Sequence, residues 1–214
     1  FDQADEFFKQ RADENKAREA LKIYRKVYSE QPDNYEAAWR LSMACYFVGI
    51  RLTKETEAKK SIFNEGYLAG KKASTLNDRC AQCFFWSAIN LALWADEIGS
   101  IKVLMQIKEI RAMLQTSISI NSRYAYGGAY RLLGLIEQKL PGVLGGSHDD
   151  AKKYFEKAIH VAPDEPLNYL FLAKHLDEVD KNRKEALKIA QRGLEVPPPL
   201  PERLEAIDAL KDLK

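Results

Sequence analysis

The sequence predicts an all-α fold built as an array of helical hairpins, and three observations carry that prediction. Residues recur at helical spacing through most of the chain, as Tyr130, Leu133, Gly134 and Glu137 do at i, i+3, i+4 and i+7. The set Ala151, Phe155, Ala158 and Pro163 returns with the same spacing as Ala20, Tyr24, Val27 and Pro32, a four-position match that chance rarely supplies. Both sets end on a proline, which removes an amide donor and disfavours helix at the residue before it. No strand-type alternation competes anywhere.

The elements follow in order. The first hairpin covers residues 1–34, with Ala4, Phe7 and Phe8 on one side of its first helix and the Ala20 set on its second. The second covers 35–79: Trp39, Ser42, Met43 and Tyr46 mark one helix, and Gly66, Gly70, Ala73 and Asp78 the other. Two glycines in one helix cost about 1 kcal/mol each against alanine, so these should be close-packing positions. The intervening RLTKETEAKKSI (51–62) has the composition of a solvated helix extension. The third hairpin, 80–123, carries Phe85, Trp86, Ile89, Asn90, Leu93 and Trp94, then Ile110, Leu114, Ser117 and Ser122. The fourth, 124–165, holds the sets described first, and the fifth, 166–198, has Tyr169, Leu172, Ala173 and Leu176, then Ala186, Ala190, Gly193 and Pro198. Residues 197–201 form a stiff proline-rich connector to a last helix, 202–214, with Leu204, Ile207, Leu210 and Leu213 on one stripe. Such a helix would cap the apolar end of an array. Small residues where helices approach, with an aromatic filling the gap between them, form the tetratricopeptide (TPR) pattern. The expectation is one TPR-like domain, a right-handed superhelix of about five helix pairs plus the capping helix.

Composition excludes several function classes. The 214 residues are 46% apolar and 30% charged, and 33 basic against 31 acidic residues leave a formal charge of +2. No strong field exists to drive nucleic-acid binding, and no run approaches the roughly 18 apolar residues of a membrane span. The chain opens at Phe1 rather than Met. A processed or truncated product is therefore expected, from which a secretory signal or lipid-anchor cysteine would leave no trace.

Candidate sites are few. Gly142, Gly145 and Gly146 precede a helix, as a phosphate cradle would. The loop lacks a Gly-Lys-Ser/Thr ending, follows a helix and abuts Asp149 and Asp150, so a tight turn capped by Ser147 or Asp149 is the better reading. Cys80-Ala-Gln-Cys83 has redox-motif spacing, yet no strand precedes it, and packed thiols or a local disulfide are expected. His148, His160 and His175 are scattered, so neither a metal centre nor a catalytic constellation can be assembled. No cofactor is expected. First helices of TPR pairs line the concave face, which makes Trp39, Trp86, Asn90, Trp94, Tyr126, Arg131 and Asn168 candidates for partner or ligand contact. Packing between helices is the competing role for each. Leu140, Val143 and Leu144 form an apolar loop that needs burial against its own array or a partner.

YGGAYRLLG (126–134), LPGVLGGS (140–147), DDAKKYFEKAIHVAP (149–163) and NYLFLAKHL (168–176), with FFWSAINLALWADEIG (84–99) before them, together resemble the T component associated with TRAP transporters, the tripartite ATP-independent periplasmic uptake systems. The tryptophan segment is also similar to the regulators of microtubule dynamics. The first resemblance implies a periplasmic, often lipid-anchored, non-enzymatic protein that binds a transporter's substrate-binding protein. It leaves room for a small organic ligand and for a homo-oligomer. The competing expectations are a stand-alone carrier with a tryptophan-lined interior and a peptide-binding TPR adaptor.

Overall fold

The computed structural model describes residues 1–196 and 201–213, with side chains set aside at 201–204. Eleven helices and no strand are found among the described residues. They group into two compact units that divide after Asn121.

The first unit holds three hairpins: α1 (Asp2–Lys9) with α2 (Glu14–Glu30), α3 (Tyr35–Leu52) with α4 (Thr56–Leu76), and α5 (Ala81–Ile98) with α6 (Ser100–Ile120). Each helix packs on the next, and α3 also packs on α5, the contact between first helices that defines an array of hairpins. Short polar side chains start the helices. Asp13 accepts the amides of Asn15 and Lys16 at 2.8 and 3.3 Å, and Asn34 accepts those of Glu36 and Ala37 at 3.0 and 3.4 Å. Alanines at 4, 17, 20 and 44 let the backbones approach, while Tyr24, Phe47 and Phe63 fill the remaining space.

The stretch 51–62 departs from an uninterrupted helix extension. The α3 helix ends at Leu52, Thr53 turns extended (φ −107°, ψ 120°), and α4 opens at Thr56. The Thr53 hydroxyl donates to the Val48 carbonyl at 3.0 Å, which ends α3 locally. Residues 56–61 form the expected solvated first turns of α4, and Ile62 is buried in the core.

The second unit contains α7 (Gly128–Lys139), α8 (His148–Val161), α9 (Pro166–Glu178), α10 (Arg183–Leu194) and α11 (Pro201–Asp212). Its core joins Ala151, Phe155, Tyr169, Leu172, Ala173 and Leu176 to Ala186, Ile189 and Ala190. The α11 helix packs on α9 and α10 through Ala206 and Leu210, as a capping helix should. The connector at 197–200 and the Leu204 side chain lie outside the described residues.

The first helix of the fourth hairpin begins at Gly128, after the hairpin's expected start at 124. Tyr124–Tyr126 is a 3₁₀ turn, and Ala125, Tyr126 and Gly127 have φ of 49°, 52° and 76°. Left-handed backbone costs a non-glycine residue roughly 1–2 kcal/mol, so something must hold this turn.

Candidate functional site

Polar side chains on the first helices are tied into the fold. In the first unit, Ser42 donates from Oγ to the Gly66 carbonyl at 2.6 Å. Asn90 donates from Nδ2 to the carbonyls of Ser42 and Trp86, each at 2.9 Å. One buried knot therefore spans α3, α4 and α5. The Oδ1 of Asn90 has no hydrogen-bond partner and faces Gly66, where a Cβ would stand 2.6 Å away.

In the second unit the structure brings Tyr126, Arg131 and Asn168 together. The Arg131 guanidinium donates to the carbonyls of Ala125 (3.1 Å) and Tyr126 (2.7 Å) and to Asn168 Oδ1. Asn168 in turn donates to the carbonyls of Ala158 (2.9 Å), Ala162 (2.8 Å) and Tyr126 (3.2 Å). The clamp holds the left-handed turn and satisfies the C-terminal carbonyls of α8 at once. The Tyr126 ring is left 42% exposed above it. The Gly127-Gly128 pair and the arginine that follows were the signals that could have revealed this turn in the sequence.

The tryptophans sit in separate surroundings. Trp39 is half-buried beside the Cys80–Cys83 pair, with the Arg40 guanidinium 4.6 Å from its ring. Arg40 also meets Asp5 at 3.2 Å and Glu36 at 3.0 Å, so its charge is engaged within the first hairpins. Trp86 packs on Tyr46 and Phe85, with ring centroids 5.3 and 4.9 Å away. Trp94 lies against the core of the first hairpins, with Lys102 over its ring at 4.8 Å. A cavity of about 580 Å³ in this unit opens among Arg25, Tyr28, Leu41, Glu65 and Leu68, and none of its lining residues is tryptophan. The Cys45 thiol is buried nearby, and burial pushes it well up, which keeps it protonated.

The loop between α7 and α8 is built to project two side chains. Leu140 is buried and anchors the loop rather than reaching outward. A 3₁₀ turn, Gly142–Leu144, follows, and Gly145 takes φ 86°. At Gly146 a Cβ would fall 1.9 Å from the Leu140 carbonyl oxygen, so only glycine fits. The amides of Leu144, Gly145 and Gly146 donate to Pro141, Gly142 and Pro141 at 2.8, 2.9 and 3.2 Å, and that of Ser147 to Glu137 at 3.0 Å. Those donors are spent internally and form no phosphate cradle. Ser147 caps α8 by accepting the Asp150 amide at 3.1 Å. On top of this compact turn Val143 is 95% exposed and Leu144 46%.

The two motif cysteines form a disulfide, Cys80–Cys83, at the start of α5. His175 is fully buried, with Nδ1 2.9 Å from Gln138 Oε1 and the His148 ring 6.3 Å off. Burial lowers its pKa, against the attraction of Asp180 3.6 Å from Nε2. No group of three or more His, Cys, Asp or Glu residues able to hold a metal ion is found among the described residues. None of the described helices is long and apolar enough to cross a membrane.

Comparison with known proteins extends the description. No curated protein matches the chain. Among solved structures, a thermophilic TPR protein of Thermus thermophilus is similar at TM-score 0.69 and 19% identity, with 94% of each chain covered. MamA is similar at TM-score 0.58 and 21% identity, covering 92% of this chain and 93% of its own. At such identities these likenesses show the fold alone, a TPR-type array of helical hairpins. The family model described as "Regulator of microtubule dynamics protein 1-3" matches residues 1–213, and the chain belongs to that family.

Proposed function

We propose that this chain is a non-enzymatic scaffold that captures a protein partner, using the tip of the loop between α7 and α8. The observation that carries this reading is the exposure of Val143 and Leu144 on a turn whose amides are already bonded internally. Apolar side chains held rigidly in water gain most when a partner covers them, because little ordering entropy remains to be lost. Tyr126, on its own clamped turn, is a further exposed large side chain in the same unit.

The partner we infer is an extracytoplasmic substrate-binding protein of the TRAP type. The LPGVLGGS motif supports it, and the Cys80–Cys83 bridge suits an oxidising compartment such as the periplasm. A stand-alone carrier has less support, since each tryptophan packs on other side chains and none lines the cavity of the first unit. A peptide-carboxylate clamp has less as well, since Arg40 and Arg131 both hold internal partners.

The test is binding to a purified TRAP substrate-binding protein by calorimetry, for the parent and for Leu144→Asp. A loss of about tenfold or more, roughly 1.4 kcal/mol, with an unchanged melt supports the loop as the contact. Equal affinity in both proteins removes the loop from the interface, and no binding by the parent removes this partner class.

A further inference from the structure

Cys80 is the N-cap of α5, and its sulfur accepts the Cys83 amide at 3.1 Å. That is the bond a serine or aspartate would supply in this position, so a cap alone does not call for a thiol. The second sulfur stands one turn on, already bonded to the first. Both are buried, Cys83 fully and Cys80 at 4% exposure, and the chain reaches solvent at Asp78 and Arg79, immediately before Cys80. Around them lie Ala38 and Ala73, with Tyr28, Tyr35 and Trp39 packed against the cluster. Partner recognition makes no use of this pair.

We propose that Cys80–Cys83 is a site of reversible thiol–disulfide exchange with a dithiol reductant, in which Cys80 is the sulfur that meets the partner. A thiolate of the dithiol attacks Cys80 Sγ. The Cys80–Cys83 bond breaks, and Cys83 leaves as a thiolate that takes up a proton. The second thiol of the reductant then attacks the mixed disulfide and expels the Cys80 thiolate. Two electrons have passed to the protein pair, one of the dithiol's two protons sits on Cys83 and the other has gone to solvent, and the dithiol has become a disulfide. In the reduced protein the Cys80 sulfur still faces the Cys83 amide and the positive end of α5, both of which favour its thiolate. Cys80 is thus the nucleophile of the return reaction, and Cys83 the resolving thiol.

The experiment reduces the native protein with dithiothreitol, alkylates briefly with iodoacetamide at pH 6, and locates the label by mass spectrometry. Cys80 should be labelled several-fold faster than Cys83, because it caps α5 next to exposed residues whereas Cys83 is fully buried. Cys83→Ser, offered oxidised glutathione without denaturant, should form a mixed disulfide at Cys80, whereas Cys80→Ser, whose hydroxyl keeps the cap, should form none. Trp39 adjoins the pair, so its fluorescence should rise on reduction in step with the labelling, and Trp39→Phe should abolish the rise. The proposal is overturned if thiols appear only after unfolding, if Cys83 is labelled as fast as Cys80, or if Cys83→Ser takes no glutathione while keeping the parent's circular dichroism. Full labelling of both cysteines before any reductant is added would overturn it too, since the bridge would then not form.

Discussion

Asn90 and Gly66 are in contact across the α4–α5 interface, with the amide group of the one lying where a side chain of the other would begin. A Cβ at position 66 would stand 2.6 Å from both Cγ and Oδ1 of Asn90, and that amide cannot swing away without leaving the Ser42 and Trp86 carbonyls. Gly66→Ala should therefore destabilise the first unit, although alanine is the better helix former. A 2.6 Å contact puts overpacking in the upper part of its range of about 1–3 kcal/mol, so the net loss after the helix-propensity gain of roughly 1 kcal/mol is about 1–2 kcal/mol. Chemical denaturation measures it, and an alanine variant as stable as the parent would mean that the two helices separate freely here.

Gly134 faces Phe155 in the same manner, with a Cβ falling 2.5 Å from Cε1 of the ring. Phe155 is fully buried in the core of the second unit and cannot retreat. Gly134→Leu should lower stability by about 1–3 kcal/mol or more. A thermal melt matching the parent would show that α7 and α8 do not pair as described.

Arg131 spends its guanidinium on a turn of left-handed residues. Arg131→Ala should cost about 1–3 kcal/mol, because the carbonyls and Asn168 lose a charged donor together. Ala125→Gly in the parent should relieve strain and gain up to ~1 kcal/mol. The Ala125→Gly gain should be larger in the Arg131→Ala background, which a double-mutant cycle reads directly. Strict additivity would detach the arginine from the turn.

His175 links stability to pH. Its folded pKa is lowered, chiefly by burial, so the unfolded chain binds the proton more readily. The stability it contributes is complete above the ordinary histidine value of about 6.5 and is lost as pH falls below it, with a slope of at most ~1.4 kcal/mol per pH unit. His175→Gln should flatten the melting temperature between about pH 7.5 and 5.5. An unchanged slope in that variant would assign the effect to other groups.

The hairpins were legible because close packing leaves a periodic record. Alanine or glycine stands where backbones meet, and an aromatic residue such as Tyr24 or Phe155 stands between them. Helix ends were legible where a short polar cap or a proline stands, as at Ser147 and Pro32. Two classes of feature were not. The breaks at Thr53 and at Ala125 depend on single backbone angles, which periodicity averages away. Asn90, Arg131 and Asn168 each also bond a partner between 37 and 48 residues distant, which no local pattern encodes. A polar residue on a first helix reads the same whether it awaits a ligand or ties two hairpins. Leu140 shows the same limit. Its burial follows from how the loop folds back, whereas its neighbours Val143 and Leu144 are apolar and exposed.

The knot of Ser42, Gly66 and Asn90 bears on modularity. In arrays whose interfaces are all alike, a hairpin can be removed and its neighbours will join. Here the second hairpin supplies both a hydroxyl with its carbonyl and the one helix position bare enough to admit the asparagine of the third. Excision of residues 35–79 would take away the Ser42 carbonyl that Asn90 bonds and the Gly66 position it packs on. The second and third hairpins are thus keyed to one another, and the first unit would gain or lose length at that joint only by re-cutting the key.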